Sequence, residues 1–247
     1  MNTKTDFTDI KALVFDYGGT LDTHARHWAH VLWDGFREAG IPVDKERFRE
    51  AYVHGERTLA RTPIVLPEDD FHALLLKKIN IETLFLVETG AWKTDEQTRR
   101  AKVEAAADFC YNYARRTVTA NLALLRRLGK RFPMVLVSNF YGNIGTILRD
   151  FGLDACFGKV IESAVVGVRK PDPAIFRLGV EATGCKAGET LVIGDSYDKD
   201  VLPAREAGCR TVWFKGEGWT EGRLEDETVP DAVITQLDEL LRMLPLT

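Results

Sequence analysis

Residues 14 to 21 read Val14-Phe15-Asp16-Tyr17-Gly18-Gly19-Thr20-Leu21, so that an apolar run carries a carboxylate into a glycine turn. The run begins at Ala12 and is apolar throughout, which predicts a short buried β-strand rather than an amphipathic one. Asp16 is then the residue that follows the strand. A strand of this kind presents its last side chains to a crevice at the edge of a sheet.

Two further apolar runs end in the same way. Met134-Val135-Leu136-Val137 is followed by Ser138-Asn139, and Leu191-Val192-Ile193-Gly194 is followed by Asp195-Ser196. Strands that are apolar on both faces are typical of parallel sheets, whose sites lie at the carboxyl edge of the strands. The sequence therefore predicts one site that combines the ends of three strands.

Composition indicates one enzyme-sized globular chain. It has 247 residues, of which 45% are hydrophobic and 28% are charged, and a net charge of -4. A negative net charge argues against nucleic acid as the partner, because phosphate backbones need a concentrated basic surface. The four cysteines are scattered without a Cys-x-x-Cys pair, and the first ten residues have no apolar leader. We therefore expect a cytoplasmic protein with reduced thiols and no membrane partner.

The alternation of strands and helices is interrupted once. Residues 26 to 117 are predicted to be mostly helical, and strand–helix alternation resumes after them. We assign residues 1–21 and 118–247 to a core and residues 22–117 to an inserted helical unit. Since the insert starts directly after the first strand's site residue, we expect it to cover the crevice as a lid.

Asp16 and Asp195 are candidates for a nucleophile, a metal ligand or a simple turn residue. Two carboxylates at one sheet edge repel each other unless a cation joins them. Magnesium prefers a few carboxylates together with substrate phosphate. The pair therefore predicts a Mg²⁺ site.

Lys170 is the candidate cation. Pro171 restricts its backbone, and Asp172 and Pro173 suit the start of a helix, so Lys170 is fixed just before that helix. Such a lysine can neutralise a phosphoryl group or an aspartate. Further candidate phosphate donors are the Ser138 hydroxyl and the backbone N–H groups of Asn139 and Gly19.

Four short motifs appear along the chain: Asp16-x-x-Gly19-Thr20, Ser138-Asn139, Lys170-Pro171 and Gly194-Asp195-Ser196-x-x-x-Asp200. In this order they resemble the four motifs of the haloacid dehalogenase-like hydrolase superfamily, and the insert resembles its C1-type cap. The resemblance covers nearly the whole chain. It implies an α/β fold, with a Rossmann-like doubly wound parallel sheet as the core and an inserted all-helical cap.

The resemblance also implies phosphoryl transfer. Asp16 would attack phosphorus and form an aspartyl-phosphate. Asp16, the backbone carbonyl of Gly18, and Asp195 would hold Mg²⁺. Ser138 and Lys170 would bind the phosphoryl group.

Two further residues would support this machinery. Asp200 would act through Lys170 or a metal-bound water, and Thr20 would brace the loop after the first strand. The substrate implied is a small phosphorylated metabolite. The sequence predicts no oligomeric state.

Gly18 departs from the superfamily's phosphatases, which usually have a second aspartate there as general acid/base. Such help is worth roughly two to four powers of ten in rate. Three explanations for the missing acid are open. The substrate has a good leaving group and needs little protonation, the cap supplies the acid, or the protein is a slow enzyme or a binding protein without turnover. His24 and Asp22 are the nearest cap candidates in sequence, and His24 shares a predicted helical face with His27 and His30.

The sequence thus favours a Mg²⁺-dependent phosphatase of small metabolites. One alternative is a phosphometabolite-binding or regulatory protein with little turnover, for which Gly18 is the support. Another is a 2-haloacid dehalogenase, which the retained Asp195 disfavours because carbon–halogen displacement needs no metal.

Overall fold

The computed structural model describes residues 6–219 and 225–246. The strands of the described residues are β1 (Ala12–Phe15), β2 (Met134–Ser138), β3 (Lys159–Glu162), β4 (Thr190–Gly194), β5 (Arg210–Phe214) and β6 (Ala232–Ile234). They form one sheet in the order β3-β2-β1-β4-β5-β6, and every neighbouring pair is parallel. This order confirms the α/β parallel-sheet prediction. The sheet winds outward in both directions from β1, so the end of β1 lies at the switch point.

The strands are apolar on both faces because both faces are covered. Leu13 and Phe15 of β1 belong to one apolar cluster, whereas Val14 belongs to a second cluster on the opposite face. All four residues of β1 are buried. Alternating side chains point to opposite faces of a strand, so a strand between two layers must be apolar at each position.

Helices α1 (Trp28–Glu38), α2 (Lys45–Arg61) and α3 (Phe71–Glu88) form the inserted unit together with the first part of α4 (Glu96–Gly129). Aspartates begin three of these helices. Asp44, Asp70 and Asp95 each accept a hydrogen bond of 2.8 Å from the backbone N–H three residues on. Such caps satisfy the free N–H groups of the first turn.

Helix α4 crosses the predicted boundary between insert and core. It is one helix of 34 residues that begins in the insert and ends against the sheet. Proline is absent from this segment, and its only glycine is the last residue, Gly129. The predicted boundary between residues 117 and 118 therefore lies inside a continuous helix, and the second connection between insert and core is the loop that follows β1.

The remaining helices of the described chain flank the sheet: α5 (Ile144–Asp150), α6 (Ser163–Val166), α7 (Ala174–Thr183), α8 (Leu202–Glu206) and α9 (Leu240–Met243). Among the residues that the structure covers, we find no helix with the length and apolarity needed to cross a bilayer.

Candidate active site

Lys170 and Asp16 meet at the carboxyl edge of the sheet. The Lys170 Nζ atom lies 2.5 Å from Asp16 Oδ1 and 2.6 Å from Asp200 Oδ1. The lysine side chain is only 2% exposed, so both contacts are shielded from water. One buried ammonium thus joins two carboxylates that come from β1 and from the turn after β4.

The side chain of Asn139 fixes the position of Lys170. Its Oδ1 accepts from the Lys170 backbone N–H at 2.9 Å, and its Nδ2 donates to the Lys170 carbonyl at 3.0 Å. We expected Asn139 to contribute its own backbone N–H to phosphate. The structure shows in addition that its amide holds the lysine-bearing loop beside the end of β2.

Thr20 joins Asp195 to the β1 loop. The Asp195 backbone N–H donates to Thr20 Oγ1 at 3.0 Å, and the threonine hydroxyl donates to Asp195 Oδ1 at 3.0 Å. The same hydroxyl lies 3.3 Å from Asp16 Oδ2. Gly19 lies between these groups with φ +100, and a Cβ there would lie 2.4 Å from the Asp195 carboxylate. Glycine is required at this position for both reasons.

Negative charge exceeds positive charge in this cluster. Carboxylate oxygens of Asp16, Asp195 and Asp200 lie within 4.8 Å of one another, and Lys170 is the cation in contact with them. Burial raises the pKa of Asp16 to about 6, although Lys170 opposes the rise. Burial, Asp16 and Asp200 together raise the pKa of Asp195 well above its usual range. The donor set is therefore the oxygen-rich, over-negative kind that fits a divalent cation.

Gly18 faces open space. A Cβ built on it meets no atom within 4 Å, and its φ is not in the left-handed region. The residue lines the cavity beside Asp16. The absence of an acid at this position is thus not imposed by crowding or by the backbone.

A cavity of about 960 Å³ lies between the sheet edge and the inserted helices. On the core side, the cavity is lined by Asp16, Ser138, Lys170, Asp195 and Asp200. The inserted helices contribute residues that include Trp28, Tyr52, Glu56, Leu74 and Lys78. Core and insert therefore enclose one shared space, as a lid would.

Neither predicted cap acid reaches this cavity. His24 has φ 60, in the left-handed region, and its ring packs edge-on against Phe214 at 5.2 Å. It lines a separate depression beside Asn121 instead. The expected helical face of three histidines does not form, since α1 begins only at Trp28 and His24 lies in the loop before it.

Asp22 is fully buried below the β1 loop. Its two oxygens accept from the Gly19 backbone N–H at 2.7 Å and from Trp28 Nε1 at 3.0 Å. Burial raises the pKa of Asp22 to about 7. The Gly19 N–H that we expected to bind phosphate is thus already used by Asp22, which braces the loop instead of facing the substrate.

His27 is the histidine that lines the cavity, and sequence reasoning did not select it. Its ring stacks on Trp219 at 5.2 Å, and its Nδ1 accepts the Ala29 backbone N–H at 3.2 Å as the cap of α1. Burial lowers the pKa of His27 to about 4, so the ring is neutral at physiological pH. The signal in the sequence was its place immediately before α1, where the chain leaves the core.

Comparison with known proteins agrees with this geometry. A family model for haloacid dehalogenase-like hydrolases matches residues 10–208, and the chain belongs to that family of hydrolases. This confirms the resemblance carried by the four motifs.

Several relatives are named as phosphatases. The glyceraldehyde 3-phosphate phosphatase of Methanopyrus kandleri is 31% identical over 239 residues, which cover 94% of this chain and 96% of that protein. The protein of the same name from Pyrococcus furiosus is 35% identical over 136 residues, 54% of this chain and 56% of that protein. The chain matches only about half or less of the length of several curated relatives, between 39% and 56%.

Solved structures share the fold at lower identity. The HAD-hydrolase YfnB from Bacillus subtilis, bound to magnesium, is similar with a TM-score of 0.61 and 22% identity, covering 95% of this chain and 98% of that chain. A dehalogenase solved with an intermediate complex has a TM-score of 0.63 at 17% identity, covering 96% and 98%. At these identities the likeness establishes the fold, which phosphatases and dehalogenases have in common.

Proposed function

We propose that this chain is a Mg²⁺-dependent phosphatase that hydrolyses small phosphorylated metabolites through Asp16. The observation that carries the proposal is the buried Lys170 ammonium between Asp16 and Asp200, with the Asp195 carboxylate in the same cluster. The phosphatase names of the relatives support the same reaction.

Each residue has a defined part in the proposed reaction. The Asp16 carboxylate attacks phosphorus, the bond to the leaving oxygen breaks, and water then attacks the aspartyl-phosphate and releases phosphate. Lys170 and the Ser138 hydroxyl bind the phosphoryl oxygens, and Asn139 keeps Lys170 in place. Asp200 holds the ammonium from its other side.

Magnesium would be held by Asp16, Asp195 and the Gly18 carbonyl, and it would offset the negative charge of the carboxylates and the phosphate. Asp16 must be ionised to attack. Positive charge beside it favours the ionised form, against the burial that raises its pKa.

The carboxylate cluster bears on the dehalogenase alternative. Displacement at carbon needs no divalent cation, so a third carboxylate beside the nucleophile would add only repulsion. The cluster of Asp16, Asp195 and Asp200 therefore favours phosphoryl chemistry. We also propose a cytoplasmic location, which the four free thiols support.

A phosphate-release assay tests the proposal. Purified protein is given p-nitrophenyl phosphate and a panel of phosphometabolites, with and without Mg²⁺. We expect Mg²⁺-dependent release that Asp16→Asn abolishes, because an amide cannot form the acyl-phosphate. Tight binding of panel compounds without release would favour the binding protein that Gly18 allows, and Mg²⁺-independent release of halide from haloacids would favour the dehalogenase.

A further inference from the structure

Lys78 on α3 forms a partly buried ion pair at the cap wall of the cavity. Its side chain is 8% exposed, its ammonium contacts the Glu56 carboxylate of α2, and a second carboxylate, Glu82, lies 3.8 Å away. The ammonium also lies 4.8 Å over the ring of Tyr52. The charge of Lys78 is thus offset by Glu56 in direct contact, which leaves little of it to attract an anionic ligand.

Glu56 is the accessible member of this pair. Its side chain is 42% exposed, and both Glu56 and Lys78 line the cavity that contains Asp16. Burial alone would raise the pKa of Glu56, but Lys78 more than offsets it, and the pKa lies below its usual value. A ligand that reaches the cap wall therefore meets a fixed carboxylate, which is a hydrogen-bond acceptor.

The groups around Glu56 are mostly neutral. Tyr52 and Tyr141 are phenols with a raised pKa, and His27 is a neutral imidazole. Three cations, Lys199, Arg61 and Arg169, line the cavity too, but all three are exposed to solvent, where their charge is screened. These surroundings suit a neutral group that donates hydrogen bonds better than they suit a second anion.

We propose that Glu56, oriented by Lys78, recognises a hydroxyl group at the end of the substrate remote from the phosphate. The chain then selects polyol and sugar phosphates over phosphorylated carboxylic acids. A terminal carboxylate would approach Glu56 with like charge, whereas a hydroxyl would donate a charge-assisted bond. The inference rests on the proposed function only in placing the phosphoryl group at Asp16.

The volume of the cavity supports a substrate longer than three carbons. About 960 Å³ is at the upper end of the range in which proteins hold drug-sized ligands. A six-carbon chain fits within this volume. A three-carbon ester leaves most of this space to water.

Matched ligands separate the two terminal groups. Sorbitol 6-phosphate and 6-phosphogluconate have the same six carbons and differ at the terminus, which is a hydroxymethyl group in one and a carboxylate in the other. Glycerol 3-phosphate and 3-phosphoglycerate form the shorter pair. Binding is measured by calorimetry on the full-length Asp16→Asn protein with Mg²⁺, because this variant cannot form the acyl-phosphate and should leave the ligands intact.

We expect the hydroxyl-terminated ligand of the longer pair to bind at least about tenfold more tightly. A hydrogen bond to a charged group is worth roughly 1.5–3 kcal/mol, which is a factor of about ten or more. Adding Glu56→Gln should weaken the binding of sorbitol 6-phosphate by about tenfold and reduce the preference for the hydroxyl-terminated ligand. The matched control is Glu50→Gln on the same helix, whose side chain is exposed and paired with Arg47. It should change neither affinity.

The comparison of the two ligands is made without the Glu56→Gln substitution. It therefore decides the question even if the protein that carries Glu56→Gln is unstable. Tighter binding of 6-phosphogluconate, equal affinities, or no binding of either ligand would each overturn the proposal. Equal weakening of both ligands by Glu56→Gln would do the same. If the ligands show a clear hydroxyl preference but the parent protein releases no phosphate from any substrate, the phosphatase function is refuted and this inference stands.

Discussion

At the scale of single residues, Lys170 holds together two carboxylates that otherwise repel each other. We predict that Lys170→Ala lowers the rate of phosphate release by about a hundredfold or more, the usual loss when one positioned electrostatic group is removed. Arg169→Ala, one residue earlier and exposed, should change the rate only slightly. Steady-state kinetics of both variants, with melting curves to confirm folding, make the comparison.

Removing Lys170 also leaves Asp16 and Asp200 unpaired inside the protein. Breaking a buried pair in this way costs roughly 3–5 kcal/mol, so a lower melting temperature is expected for this variant alone. Equal losses of activity for both variants would mean a diffuse basic patch in place of one positioned ammonium.

Gly18 is the residue whose replacement should add function. We predict that Gly18→Asp raises the rate on alkyl phosphates more than on p-nitrophenyl phosphate, because the phenolate needs little protonation to leave. The structure accommodates the change, since a Cβ at Gly18 meets no atom within 4 Å. The measurement is the ratio of kcat/KM on the two substrate types.

The parent protein is the reference for this ratio, and a melting curve shows whether the variant is folded. An unchanged ratio in a folded Gly18→Asp variant would mean that the cavity already supplies the proton. Because the buried His27 ring is neutral and its Nδ1 caps α1, His27→Ala should leave this ratio unchanged, and the proton would have to come from another group that lines the cavity.

The residues that end strands were predictable, and those on the cap wall were not. Asp16, Asp195 and Lys170 could be placed together because each directly follows a strand or precedes a helix. His24 was wrongly expected at the cavity, because two left-handed residues, His24 and Ala25, turn the chain away before α1 begins. Glu56 and Lys78 carry no local signal, since the packing of α2 against α3 decides which helix face meets the cavity.

At the scale of secondary structure elements, Glu82 on α3 makes the cap sensitive to pH. It is fully buried and its oxygens have no hydrogen-bond partner among the described residues. Burial raises its pKa from 4.5 to about 7, although Lys78 opposes the rise. Between these two values the native state keeps a proton that the unfolded state has lost, so the free energy of unfolding falls as pH rises through this window.

We therefore predict that Glu82→Gln is more stable than the parent at pH 8, by roughly 1–3 kcal/mol, and about equal to it at pH 4. Urea denaturation of both proteins at the two pH values measures the difference. Other buried acids, such as Asp22, are present in both proteins, so their contributions to the pH dependence of stability cancel in the difference. A gain that is the same at both pH values would show that Glu82 does not titrate in this window.

Helix α4 marks the limit of prediction for elements. The strands and their order along the chain followed from short apolar runs that end on polar residues. The continuity of α4 did not, although its buried residues keep one helical face from Arg99 to Leu128. Between Cys110 and Leu124 that face holds only Ala114, Val118 and Asn121, so its apolar signal is weak there.

At the scale of the whole molecule, the proposed reaction requires a divalent cation for activity and for stability of the site. We predict that EDTA stops phosphate release and that Mg²⁺ restores it. Mg²⁺ should also raise the melting temperature of the parent, since a ligand that binds only the folded state stabilises it.

The Asp195→Asn variant tests whether the divalent cation binds at this carboxylate cluster. It should remove most of the Mg²⁺-dependent rise in melting temperature, because it takes away one of the carboxylates within 4.8 Å of each other. Full activity after exhaustive metal removal, or an equal rise in the variant, would contradict the proposed metal site.

The most direct test asks whether Asp16 carries the phosphoryl group during turnover. The protein is mixed with p-nitrophenyl phosphate and Mg²⁺, quenched in acid, digested and analysed by mass spectrometry. We predict that the peptide containing Asp16 gains the mass of one phosphoryl group, and that this mass is lost when the substrate is exhausted before the quench. A protein that releases phosphate steadily while this peptide stays unmodified, or that is modified equally in Asp16→Asn, would contradict Asp16 as the nucleophile.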